Sequence, residues 1–186
     1  MKAYIEAIAS ALPDLIQTNE DIQKENPSWN MGKVMERSGV SSRAIAAPDE
    51  TAFDLSTKAC DKLFADKRYK PSDFDGIIYC TQTPDYIMPP NAHLLHEYLG
   101  VADNVLAFDY NLACSGFVYG LAMANAFIVS GQAKKILLVT ADTYSKYIHQ
   151  KDRSLRALFG DAAAVTVISG DDNVSGFTEF ASSGRP

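Results

Sequence analysis

Cysteine is scarce in this 186-residue sequence: Cys60, Cys80 and Cys114 are an odd number, and none has metal-ligand spacing. That argues against a disulfide framework or a zinc module and for reduced thiols in a cytoplasmic protein. Long apolar runs are missing too. None approaches the ~20 residues a bilayer-spanning helix needs. The opening stretch MKAYIEAIASALPDL is broken by Glu6 and Pro13 and lacks the layout of a signal peptide. Positive charge is short: the net charge is −6, and no Lys/Arg cluster stands out. A nucleic-acid or anionic-membrane surface is therefore not expected. There is no internal repeat and no low-complexity tract.

What is present suits a packed protein. Hydrophobic residues make up 47% of the chain, enough for a real core, and the length fits one large domain or one and a half small ones. AYIEAIA (3–9) reads as a strand. Two short helices follow, one opened by Thr18 and Asn19 and one around Trp29 to Arg37, ended by Gly39. Thr51 with Asp54 forms a capping box, and Ala52, Leu55, Ala59, Cys60, Leu63 and Phe64 fall on one helical face. GIIYCTQ (76–82) reads as a buried strand. Pro89-Pro90 admits a helix from about Asn91 to Leu99, stopped by Gly100.

NVLAFDY (104–110) is another strand, 115–130 a helix, KILLVTA (135–141) a strand and AAAVTVI (162–168) a strand, with a further one beginning near Gly176. The order is β-α-β-α-β-α-β-β. Continuously apolar strands imply burial on both faces, hence a mostly parallel sheet under helices on each side: a three-layer α/β fold. Unrelated functions share that architecture, so function must come from a site.

The most informative segment is AFDYNLACSGFVYGLAMANAFIVSG (107–131). From Ser115 to Val129 it carries no charge on any face, so the helix is expected to be buried all round in a larger structure. Gly116 and Gly120, one turn apart, are expected to admit another backbone. Cys114 stands where a strand turns into this helix. Unpaired N–H groups and the positive dipole end favour thiolate there and could support an oxyanion on a thioester carbonyl. A cysteine so placed suits acyl transfer through a thioester, although a thiol that fills core space has the same sequence signature. Cys60, on a helix face, and Cys80, in a strand, read as packing residues. His93 and His96 lie at i and i+3 without a third ligand in view, and read as polar residues of a helix face.

Asp109-Tyr-Asn-Leu-Ala-Cys114-Ser-Gly-Phe-Val-Tyr-Gly-Leu121 resembles the nucleophile segment of β-ketoacyl-acyl carrier protein synthase III. Three more segments resemble the family in order and approximate spacing: Arg37-Ser-Gly-Val-Ser-Ser-Arg43-Ala-Ile; Thr81-Gln-Thr-Pro-Asp-Tyr86 with Pro89; and Asp152-Arg153 followed by Phe159-Gly160-Asp161-Ala-Ala-Ala. The resemblance implies a thiolase-like αβα fold with a mixed, mostly parallel five-stranded sheet, and residues 1–186 as the N-terminal half of it. It implies that Cys114 receives an acyl group from acyl-CoA, ahead of decarboxylative condensation with malonyl-acyl carrier protein in fatty acid or polyketide synthesis. Arg37 and Arg153 then lie near the mouth of the coenzyme A tunnel, Phe159 lines it, and Met88 is inserted into a partner's acyl pocket. No metal or resident cofactor is implied.

The family's activating His and Asn belong to a second half that these residues do not include; His93, His96 and His149 do not match that His. A homodimer through the N-terminal half is also implied, with the strand at Ala162–Ile168 paired to its two-fold mate. Hydroxymethylglutaryl-CoA synthase is a rival relative, but its catalytic Glu has no counterpart in Thr81-Gln82-Thr83. A non-condensing acyltransferase of the same fold, or a non-catalytic binding or assembly half-module, are the other readings.

Overall fold

The computed structural model describes residues 1–177. The chain runs β1 (Lys2–Ala11), β2 (Leu15–Thr18), α1 (Asn19–Glu25), α2 (Met31–Ser38), β3 (Ser42–Ile45), α3 (Ala52–Phe64), β4 (Gly76–Cys80), α4 (Asn91–Leu99), β5 (Leu106–Tyr110), α5 (Gly116–Val129), β6 (Lys135–Asp142), α6 (Arg153–Arg156) and β7 (Ala162–Asp171). A 3-10 turn at Ala113–Ser115 leads into α5. The strand read to begin near Gly176 falls almost wholly outside the described residues.

Helix boundaries follow local chemistry. Thr51 Oγ1 accepts from Asp54 N (3.2 Å) while the Asp54 carboxylate accepts from Thr51 N (2.9 Å), closing the capping box of α3. Its buried residues, Ala52, Leu55, Ser56, Ala59, Cys60 and Leu63, form one stripe. Gly39 and Gly100 end α2 and α4 at φ 73° and 65°, where a side chain would be strained. The N-terminus of α4 is capped from a distance. Pro90 offers no side-chain cap, and the Asp109 carboxylate of β5 accepts from Asn91 N and Ala92 N, both at 2.8 Å.

The five-stranded sheet has the order β1-β7-β6-β4-β5. Strands β4, β5 and β6 are mutually parallel, β7 is antiparallel to β6, and β1 is antiparallel to β7. Four strands thus point one way and β7 the other, which is the mixed, mostly parallel sheet expected. Alternate residues go to opposite faces. Ile77, Tyr79, Leu137, Val139, Val165 and Val167 pack under α3 and α4, whereas Ile78, Ile136, Leu138 and Ile168 meet α5. Both faces are dry, so the strand sequences lose their polar alternation.

Two expectations need correction and one is refined. First, β7 is interior, hydrogen-bonded to β1 on one side and β6 on the other. A strand has two ladder edges, so Ala162–Ile168 has none left for a two-fold mate. Second, the all-round burial of α5 expected in a larger structure is not supplied by these residues, as one half alone could not supply it: α5 buries only the stripe Gly116, Gly120, Ala124 and Ile128, and its opposite face, including Phe117, Val118 and Val129, is exposed. Third, the glycines of α5 admit side chains, not a backbone. A Cβ on Gly116 would overlap Cys80 Sγ, and one on Gly120 would overlap Tyr110 Oη and come within 2.6 Å of Leu138 Cδ1. The antiparallel β2–β3 pair, Leu15 opposite Ile45 through Thr18 opposite Ser42, is an element the pattern did not reveal.

Candidate active site

Parallel strands β4, β5 and β6 end together at Cys80, Tyr110 and Asp142, and the site is built on this edge, where open α/β sheets bind ligands. From Tyr110 the chain passes into the 3-10 turn, and Ala113 adopts φ 46°, a left-handed conformation uncommon for a residue with a Cβ. This turn presents Cys114 at the surface, immediately ahead of α5; Cys60 and Cys80 are buried. Ser115, at the cap position, makes no side-chain cap bond, its hydroxyl donating instead to Leu112 O (2.8 Å). The N–H groups at the helix head thus stay uncovered by a capping side chain.

The turn rests on a fixed floor. The Tyr110 hydroxyl donates to Gly116 O (2.6 Å). The Cys80 sulfur lies against Gly116. Burial pushes the Cys80 thiol up, and the Cys60 thiol to about 12. Both are held as thiols in the core, as packing residues. Behind them, Asp142 Oδ1 accepts from Gln82 N (2.6 Å), Thr81 Oγ1 (3.1 Å) and Thr83 Oγ1 (3.2 Å), tying the loop after β4 to the end of β6. Burial raises the Asp142 carboxyl despite these donors.

Arg37 on α2 and Arg153 on α6 meet across a cleft of about 530 Å³, with Asn30, Lys33, Val34 and Leu158 among its walls. Lys33, four residues before Arg37 on the same helical face, is a third cation that the sequence reading missed; the spacing was the available signal. Among the described residues none of the three cations has a carboxylate partner. α6 is held by Asp152, whose carboxylate accepts from Ser154 N and Leu155 N, both at 3.0 Å. Cys114, Met88 and Phe159 are not in this lining.

Phe159 packs edge-on against Tyr144 (5.5 Å between centroids) and walls a separate hollow of about 150 Å³ with Ser145, Ile148 and Arg156. Met88 is 77% exposed and Ile87 fully so, which excludes core packing for Met88. His96 Nε2 is 2.9 Å from Ala102 O, and His149 Nδ1 accepts from Lys151 N (3.2 Å). Trp29 packs with Ile22, Met31 and Ala157. No helix of the described residues is long and apolar enough to cross a membrane.

A family model for 3-oxoacyl-[acyl-carrier-protein (ACP)] synthase III matches residues 108–184. The chain is 41% identical over 182 residues to a beta-ketoacyl-[acyl-carrier-protein] synthase III 2 of Halalkalibacterium halodurans, covering 96% of this chain and 53% of that protein. A crystal structure of a 3-oxoacyl-(acyl-carrier-protein) synthase III superposes with a TM-score of 0.89 at 42% identity, over 94% of this chain and 52% of that one. A 3-oxoacyl-(acyl-carrier protein) synthase from Burkholderia xenovorans gives a TM-score of 0.88 at 33% identity, over 93% of this chain and 50% of that one. The chain spans about half the length of the relatives it matches. In sequence and in fold, the chain is therefore similar to about half of a 3-oxoacyl-[acyl-carrier-protein] synthase III.

Proposed function

We propose that this chain is the N-terminal catalytic half of a 3-oxoacyl-acyl carrier protein synthase III-type acyltransferase acting in fatty acid or polyketide synthesis. The observation that carries the reading is Cys114, the exposed cysteine held at the head of α5. Its sulfur attacks the thioester carbonyl of an acyl-CoA, coenzyme A leaves as its thiolate, and the acyl group stays on Cys114. In the second stage a malonyl-acyl carrier protein loses carbon dioxide. The resulting carbanion takes the acyl group, and the Cys114 thiolate is regenerated. The groups that activate the malonyl unit belong to a second half of the protein; no histidine among residues 1–177 matches that role. The protein acts in the cytoplasm and uses no resident cofactor.

Lys33, Arg37 and Arg153 form the anion-binding cleft in this reading, meeting the phosphates and adenine of coenzyme A. Met88 and Phe159 serve the acyl and tunnel surfaces. Association is a homodimer through this half, but the strand available for it is β5. It ends the sheet, and its ladder to β4 engages Leu106 N and Tyr110 O, so the main-chain groups of Ala107 and Asp109 point outward. The opposite edge, β1, is already met by Phe177 N on Ala3 O (3.1 Å).

Competition tests the reading. Acetyl-CoA is expected to protect Cys114 from iodoacetamide, with Cys60 and Cys80 unlabelled in the folded protein throughout. Labelling of Cys114 that acetyl-CoA leaves unchanged, or Cys80 labelled first, would count against it.

A further inference from the structure

Arg43 is the second arginine of the Arg37–Ile45 segment, and the mechanism above leaves it without a role. It is buried, with 5% of its surface exposed, and no carboxylate among the described residues pairs with it. Its Nη2 donates to Asn19 Oδ1 (2.6 Å) and to Ala157 O (3.0 Å), and its Nη1 to Gln17 O (3.3 Å). Nε has no partner there. A buried cation satisfied only by neutral oxygens costs desolvation that Coulomb attraction does not offset. A residue kept in such a place is doing geometric work that a neutral side chain cannot copy. Only a guanidinium offers five donors in a rigid fork.

The three acceptors lie on different elements, and one of them, Ala157, lines the cation cleft. Ala157 closes α6, four residues after Arg153, and itself lines the cleft. Asn19 opens α1, and its Nδ2 donates to Val40 O (2.9 Å) while its backbone N–H donates to Ser41 O (3.0 Å), just beyond the end of α2. A hydrogen-bonded strut therefore runs from the end of α6, through Arg43 and Asn19, to the chain that leaves α2 three residues after Arg37. Ile22, Met31 and Ala157 pack as the apolar floor beneath it. α6 has four residues and cannot hold its own direction; the strut does so.

We propose that Arg43 is a positioning residue that fixes the spacing between Arg37 and Arg153, and so sets affinity for the phosphate-bearing end of coenzyme A without acting at Cys114. The proposal rests on the reading of the cleft as the anion site. Lysine keeps the charge, but its lone nitrogen on a shorter side chain cannot reach Gln17 O while also bridging Asn19 and Ala157 as Nη2 does.

Free coenzyme A is titrated calorimetrically into the protein, and Cys114 alkylation by iodoacetamide is timed in parallel. Arg43→Lys and Arg43→Gln are each expected to weaken binding about tenfold, the order carried by one charge-assisted hydrogen bond, with the alkylation rate unchanged. Asn19→Ala cuts the strut while leaving the guanidinium, and is expected to weaken binding in the same direction if the Arg43 variants do not fold. Parental affinity in folded Arg43→Lys or Asn19→Ala, while Arg37→Ala binds weakly, would overturn the proposal and leave the cleft reading standing. Unchanged affinity in Arg37→Ala and Arg153→Ala would remove the cleft reading itself. A matching fall in Cys114 alkylation would assign Arg43 to general stability and also overturn the proposal.

Discussion

At Gly116 the backbone of α5 rests on the Cys80 sulfur, so the shapes of these two residues are coupled. Gly116→Ala is expected to destabilise the protein by about 1–3 kcal/mol through overpacking. Cys80→Ala removes the obstructing atom, so the double variant is expected to lose less than the sum of the single losses in urea denaturation. Strict additivity would mean that the contact does not constrain the turn. Asp142 gives a pH signature. Burial holds its carboxyl above the ordinary value, so the folded state binds the proton more tightly than the unfolded chain. By linkage, this group's contribution to stability falls as pH rises from the unfolded carboxylate value through the raised one. The stability difference between the parent and Asp142→Asn should therefore shrink as pH rises through that window, read from urea midpoints. A difference that grows with pH would contradict the sign. Cys114 was legible in the sequence because a cysteine between a strand and a charge-free helix stands out locally; Cys80 was legible as a packing residue of a buried strand and Gly116 as a point of close approach. Nothing local marks Asp142, or the partner of Cys80: Asp142 bonds the loop after β4, and Cys80 lies against Gly116 of α5.

The elements divide in the same way. α2, α3 and α4 could be read closely because their signals are local: the capping box at Thr51 and Asp54, and the glycines at 39 and 100. The β2–β3 pair could not, because each strand has four residues and the partners are separated by α1 and α2. Strand order was equally hidden. AAAVTVI has the uncharged composition of an open edge and of a core strand alike, and β7 is the latter. Proline separates the two roles. Val165→Pro, in a strand bonded on both sides, is expected to abolish folding as seen by circular dichroism. Ala107→Pro, on the outward-facing side of β5, should leave the fold and dissociate the proposed dimer in sedimentation. A dimer that survives Ala107→Pro would count against association through β5.

At the scale of the whole molecule, charge and apolar surface are segregated. Three cations with no carboxylate partner among the described residues line one cleft, while α5 turns Phe117, Val118 and Val129 outward. Residues 1–177 cover α5 on one stripe only, as expected of a helix that one half cannot bury on all sides, and the relatives are about twice as long as this chain. The apolar composition of α5 signalled a larger structure, but could not say which of its faces this half would cover. Everything in the proposed chemistry passes through one sulfur. The most direct measurement is therefore peptide mass mapping after incubation with acetyl-CoA. One acetyl group on the Cys114 peptide, absent in Cys114→Ala, is the expected result. An acetyl group retained by Cys114→Ala, or no adduct on the folded parent protein, would contradict the assignment of Cys114 as the acyl acceptor.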